Sequence, residues 1–453
     1  MSSDTSIEGQ CSGGRGPAGP TGLVVAPTTT RRAYAAFMPN EHREGVALCL
    51  SGGGFRATLF HLGATRRLNE LGLLGQLDTI SAVSGGSIFA AHLAGRIRPW
   101  PAPGEQVVDW EERVAAPFRA FTRRNLRNGP LLRRLLPWNW SRPGTAVEAL
   151  AQRLATEITD LKLGELPDRP RFIFTATDLV FGVNWSFERR GMGDELAGYL
   201  RPAPEWPVAR AVAASACAPP FFDPLPLTVL ASQLAGGTAP VRPERDKWLA
   251  GLRLSDGGLF DNMGLVPTWK DHKIVLVSDA GATFDYDVDH GLFWRLSRYR
   301  TILGMQGTAA RRHWLISNFI SGYVLGAYWG IGSTTNDYTD EPDTLPGYGE
   351  LLVDDVISEV RTDLDAFSEA EIAVLENHGY LLAAAAADRS LAFAGNPHMV
   401  SPGDTQLYGR YATHLNVRAD APLAIPHPEW MDEQKVRAAL KDSNKVKMPF
   451  GRR

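Results

Sequence analysis

The stretch VALCLSGGGFRATLFHLGATRRLNEL, Val46 to Leu71, decides the fold. Val46 to Leu50 is an apolar run of strand length, and it stops at Gly52-Gly53-Gly54. Beyond the glycines, Leu59, Leu62, Gly63, Arg66 and Glu70 recur at helical spacing between Ala57 and Leu71. The pattern is strand, glycine turn, helix. It repeats at once: Leu77 to Val83 is a second short apolar run, stopped by Ser84-Gly85-Gly86 and followed by a small-residue helix from Ser87 to Ala94. Further runs at Phe172 to Thr177 and Lys273 to Ser278, with helical stretches such as Val208 to Ala216 between them, continue the alternation. Such βα alternation predicts a three-layer α/β/α sandwich with a mostly parallel central sheet.

Around this core the sequence changes character. Residues 1–43 are rich in Gly, Pro, Ser and Thr without periodicity and read as a flexible leader. Acids and glycines stand there in place of the basic start and apolar stretch of a signal peptide. The core is placed at 44–285, with a mainly helical insertion over 96–170 that is Pro-flanked and rich in Trp and Arg. Residues 286–453 read as a C-terminal helical region packed on the core, because no linker-like stretch sets them apart.

Within the insertion, Arg123, Arg124, Arg127, Arg133 and Arg134 alternate with Leu126, Leu131, Leu132, Leu135 and Leu136, and Trp138 and Trp140 follow. This composition suits a lid helix with inward leucines or an interfacial segment. The charge-free stretch Trp314 to Asn336 is long enough to raise the question of a membrane span, but Ser317, Asn318, Ser321 and four glycines argue against spanning. A buried, acyl-chain-lining segment is expected there, with monotopic membrane contact as the second reading. Arg311-Arg312 just before it is placed to meet lipid phosphates.

Lys and Arg number 47 against 50 Asp and Glu, so no basic field marks a nucleic-acid binder. The three cysteines, Cys11, Cys49 and Cys217, form neither a disulfide framework nor a CxxC zinc pattern, and the ten histidines show no HExxH motif. Neither a metal nor a cofactor is expected. The expected location is cytoplasmic, with peripheral contact at the inner face of the membrane; the sequence is silent on oligomeric state.

Three places carry candidate chemistry. Ser84, in AVSGGS, follows an apolar strand and precedes a helix, the context of a nucleophile elbow, although Ala82 stands where GxSxG has its first glycine. The glycine turn offers backbone N–H groups at a helix start, as an oxyanion hole or as a phosphate cradle. The dinucleotide version of the cradle needs an acid about 20 residues on, at the end of the second strand. Here that strand ends in Ala82-Val83-Ser84. Asp256, in LRLSDGGLFDNMG, ends an apolar strand before two glycines and so projects at the carboxyl edge of a sheet.

In combination and order, Gly52-Gly53-Gly54-Phe55-Arg56, AVSGGS, Ala213-Ala214-Ser215-Ala216-Cys217-Ala218-Pro219 and SDGG resemble the patatin-like phospholipase family, bacterial type, over Val46 to Ala280. The resemblance implies a serine lipid acyl hydrolase acting on phospholipid or lysophospholipid. It makes Ser84 the nucleophile and Asp256 its partner in a Ser–Asp dyad, with Gly52, Gly53, Gly54 and Gly85 forming the oxyanion hole. Arg56, at the family loop's basic position, either faces the anionic end of the site or braces the loop. The alternative is a catalytically silent patatin-fold module that binds lipid or regulates.

Overall fold

A computed structural model describes residues 40, 42–139, 142–219, 222–283, 288–342, 344–390, 415–418, 420–441 and 443; Cys11 and Trp140 lie outside them. Strands β1 (Val46–Leu50), β2 (Thr79–Val83) and β3 (Arg171–Asp178) are parallel neighbours. Antiparallel β4 (Val183–Glu188), β5 (Gly191–Asp194) and β6 (Gly198–Leu200) extend the sheet beyond β3. The short β7 (Leu225–Pro226) pairs with β8 (Arg253–Asp256). Finally β9 (Ile274–Asp279) and β10 (Leu325–Gly330) add in parallel on the far side of β1. Strands β1, β2 and β9 are buried throughout, as strands covered by helices on both faces must be, which is why they read as unbroken apolar runs.

The chain builds outward from β1 in both directions, in the order β10-β9-β1-β2-β3. The crevice outside the carboxyl ends of β1 and β9 is therefore a topological switch point, where open α/β sheets bind their ligands. A second feature concerns β3, which outruns β2. Strand β2 pairs with Arg171–Thr175, and β4 occupies the other edge. On the remaining Ala176–Asp178, β8 arrives antiparallel. Strands β2 and β8 thus meet end to end along one edge of β3, with Val83 opposite Thr175 and Asp256 opposite Ala176.

Helices α1 (Gly54–Glu70) and α2 (Gly85–Arg96) follow β1 and β2. The insertion holds α3 (Asn128–Leu135) and α4 (Thr145–Glu157), then come α5 (Val208–Ser215), α6 (Leu292–Ile320) and α7 (Glu369–Ser390). Helices α1 and α7 touch backbone to backbone: a Cβ at Gly63 would strike the Glu376 carbonyl, and one at Gly379 the Phe60 carbonyl.

Two expectations need correction, the lid helix with inward leucines and the single lining segment. Four arginines of the 123–140 stretch are tied to the protein's own polar groups: Arg123 to Glu369, Arg124 to Glu157, Arg127 to Asp363 and Asp365, and Arg133 to Gln152. Leu126 is buried, but Leu132, Leu136 and Trp138 are exposed, so the leucines do not share an inward face. The charge-free Trp314 to Asn336 is not one lining segment. It comprises the end of α6, a turn and β10, whose Leu325, Ala327 and Trp329 are buried as an edge strand. Hydropathy cannot separate these, because a strand covered by helices loses its charges just as a lipid-facing segment does. Among the described residues after 286, helices are joined by one sheet strand, β10. Among the described residues, no helix is long and apolar enough to cross a membrane.

Candidate active site

Ser84 sits between β2 and α2 with φ 51° and ψ −117°, the one non-glycine residue with positive φ among the described residues. Strain of this kind persists only where the surroundings impose it, and here they do. The Ser84 N–H donates to Ser215 Oγ at 2.8 Å, and the Ser215 hydroxyl also meets Ser87 Oγ at 2.8 Å. The carbonyl of Ser84 accepts the Ile88 N–H of α2. Ala82 lies in regular strand, paired to Leu50 and Phe174, so its methyl group meets no strained backbone and is accommodated. A Cβ at Gly85 would collide with the Gly54 carbonyl oxygen and lie 3.0 Å from Gly54 N, so the serine turn is seated directly on the glycine loop.

The end-to-end meeting of β2 and β8 delivers the second group. Ser84 Oγ donates to Asp256 Oδ2 at 2.7 Å, and the other carboxylate oxygen accepts the Gly258 N–H at 2.8 Å. Thr177, on β3, donates its hydroxyl to the Asp256 carbonyl and fixes that turn to the shared strand. Both side chains are nearly enclosed, Ser84 at 9% and Asp256 at 7% exposure. Burial pushes the Asp256 carboxyl up to about 6; its bonds from Ser84 and Gly258 hold it from going higher. Both ring nitrogens of His61 are already engaged, with Ser278 Oγ and the Ser51 carbonyl, and burial lowers that imidazole to about 4. No imidazole is bonded to Ser84 among the described residues.

Of the glycines, Gly53, Gly54 and Gly85 have N–H groups without an acceptor among the described residues. Gly52 differs, and its place in the oxyanion hole is corrected here: its N–H donates to the Asn262 carbonyl at 3.0 Å. Its missing side chain still matters, since a Cβ there would come within 3.1 Å of Ser84 Cβ. The two readings of Arg56 are resolved in favour of a brace. Its guanidinium, 2% exposed, donates to the carbonyls of Ser358 (2.6 Å), Val360 (2.9 Å), Ala280 (3.0 Å) and Gly281 (2.5 Å). It ties the glycine loop to the end of β9 and to the segment carrying Asp363, whose carbonyl accepts the Phe55 N–H. Sequence reasoning gave Ser215 and Asn262 no role, although both lie in stretches it quoted. Among the described residues no cluster of His, Cys, Asp and Glu is placed to hold a metal ion.

Keeping Asp256 ionised inside the fold carries a cost. A pKa raised from 3.8 to about 6 corresponds to about 3 kcal/mol. The native state binds the extra proton, so wild-type stability falls as pH rises from about 4 to about 6 and stays low above that. Asp256→Asn is expected to be more stable than wild type by up to about 3 kcal/mol near neutral pH, with the gap closing below about pH 4. Denaturant titrations at both pH values measure it; equal stabilities at neutral pH would show that the carboxylate carries no burial cost.

The profile of the patatin-like phospholipase family matches residues 48–269. No curated protein matches the chain. Among solved structures, human GIVD cytosolic phospholipase A2 is similar at 15% identity over 53% of this chain and 44% of its own, with a TM-score of 0.33. In complex with methyl gamma-linolenyl fluorophosphonate the same human protein aligns at 14% identity over 85% and 62%, with a TM-score of 0.36. VipD from Legionella pneumophila aligns at 13% identity over 91% and 82%, with a TM-score of 0.31. The matched part of this chain spans under half the length of the first of these structures. Glycine loop, serine elbow and DGG aspartate all fall inside the matched range, and across residues 48–269 this chain belongs to the patatin-like phospholipase family.

Proposed function

We propose that the protein is a serine lipid acyl hydrolase that releases fatty acid from phospholipid or lysophospholipid through Ser84 and Asp256. The observation that carries this reading is the 2.7 Å bond from Ser84 Oγ to Asp256 Oδ2, made at a strained elbow that rests on a loop with unengaged N–H groups. Ser84 Oγ attacks the ester carbonyl carbon while its proton passes to Asp256 Oδ2. Negative charge develops on the former carbonyl oxygen, where Gly53, Gly54 and Gly85 offer donors fixed in advance by the loop. Collapse breaks the carbon–oxygen bond to the lipid alcohol, and Asp256 returns the proton to the departing oxygen. Water then attacks the acyl-serine, Asp256 takes its proton, and expulsion of Ser84 Oγ, reprotonated by Asp256, frees the fatty acid. A carboxyl near 6 suits both duties, being mostly ionised at neutral pH yet basic enough to accept the proton.

A fluorophosphonate probe, which reacts with activated serines, tests the reading. Wild type is expected to label, with Ser84→Ala and Asp256→Asn silent. The wild-type rate is expected to fall about tenfold per pH unit below about 6, as Asp256 takes up its proton. Labelling that survives Ser84→Ala, or a rate indifferent to pH across that range, overturns the dyad.

A further inference from the structure

Helix α6 runs for 29 residues, and its packing is concentrated near its C-terminal end, where Trp314 lies against Trp269 and Leu315 enters a small cluster with Val275, Val277 and Val324. The rest projects. Seven of the sixteen large hydrophobic side chains exposed among the described residues lie within Val288–Tyr323. Leu292, Tyr299 and Leu303, at helical spacing on one face, are 66%, 59% and 74% exposed. Apolar surface gathered this densely marks an interaction site rather than the scattered exposure of an ordinary surface.

Charge selects the occupant. From Val288 to Asn336 the chain holds Arg295, Arg298, Arg300, Arg311 and Arg312 against a single acid, Asp289, which pairs with Arg295. A second copy of the same helix would bring arginines against arginines across a symmetric interface, which the apolar stripe is too narrow to offset. A basic helix with leucine and aromatic groups suits the boundary of an anionic lipid surface, where leucines enter the acyl region and guanidinium groups meet phosphates.

The helix is also tied to the candidate site. Arg312 pairs at 3.1 Å with Asp279 at the carboxyl end of β9, which also accepts the Tyr328 hydroxyl at 2.9 Å. Arg311 lies 5.3 Å over the Phe260 ring, four residues beyond Asp256. Both contacts fix α6 to the sheet edge on which Ser84 and Asp256 lie. We infer that α6 is an interfacial helix that lays its Leu292–Tyr299–Leu303 face onto an anionic lipid surface and so presents the carboxyl edge of the sheet to lipid. This rests on the hydrolase reading for its purpose but not for its test.

The test is sedimentation with vesicles of phosphatidylcholine alone and of equimolar phosphatidylcholine and phosphatidylserine, using the full chain as Ser84→Ala so that the vesicles stay intact. Binding is expected to the anionic vesicles, weakened by salt, and to fall at least about tenfold in Leu292→Glu/Leu303→Glu. Val241→Glu, at a 96% exposed position elsewhere, is expected to bind as the parent does. Anionic-vesicle binding unchanged in the double variant overturns the inference. So does equal binding to neutral vesicles, or a parent that self-associates through this face and is made monomeric by the double variant. Wild-type hydrolysis of a short, water-soluble ester is measured alongside: vesicle binding without it sinks the hydrolase reading alone, and hydrolysis without vesicle binding sinks this inference alone.

Discussion

Ser84→Ala is expected to lower kcat/KM for fatty acid release by roughly 10⁵-fold, because the covalent route disappears and only the positioning of ester and water against the glycine loop remains. Asp256→Asn is expected to cost roughly 10⁴-fold by a different path. The amide still fills the space, its oxygen accepting the Gly258 N–H while its NH2 donates to Ser84 Oγ, so the geometry stays, but it cannot take the proton. Since the two groups act in one step, the double variant is expected to be no slower than Ser84→Ala; losses that multiply would show two independent contributions and refute the dyad. Asp256→Asn should combine lost activity with higher stability near neutral pH, a pairing that simple misfolding cannot produce.

The second large effect belongs to Arg56. Arg56→Ala is expected to destabilise the protein by about 4 kcal/mol, lowering Tm by roughly 10 °C. Four carbonyl oxygens lose a charged donor at once, and two of them, on Ser358 and Val360, belong to a segment 302 and 304 residues away in sequence. The guanidinium is buried enough for its pKa to be pushed down to about 10, so its hydrogen bonds offset a real desolvation cost. Arg56→Lys keeps the charge but lacks the planar fork that spans all four acceptors, and is expected to recover less than half of the loss. At temperatures where the variants remain folded, kcat is expected to fall with KM little changed, because the glycine donors lose their support from behind while the substrate surface is untouched. A KM effect alone would return Arg56 to the reading in which it faces an anionic group.

How far the sequence could be read follows from the range of each interaction. Ser84 and Asp256 are legible because each closes an apolar strand ahead of glycines, a purely local signal. Their contact is not local: it depends on β2 and β8 both pairing with β3. The engagement of the Gly52 N–H was invisible for the same reason, since its acceptor, Asn262, lies far along the chain. Ser215, which holds the elbow's N–H, looks in sequence like any small residue of an alanine-rich helix. The misreading of Trp314 to Asn336 has another origin: absence of charge reports burial without saying against what.

The arrangement on β3 also separates two things that usually constrain each other, chemistry and chain length. Ser84 and Asp256 are 172 residues apart, yet their spacing is a matter of register, set where two strands abut on a third. Intervening segments other than β3 and the α5 end that carries Ser215 can lengthen, shorten or be exchanged without altering the distance a proton travels. The crossover from β2 to β3, with its helices and tryptophans, is thus free to diversify toward new substrates or partners, so long as Thr175 and Ala176 keep their neighbours.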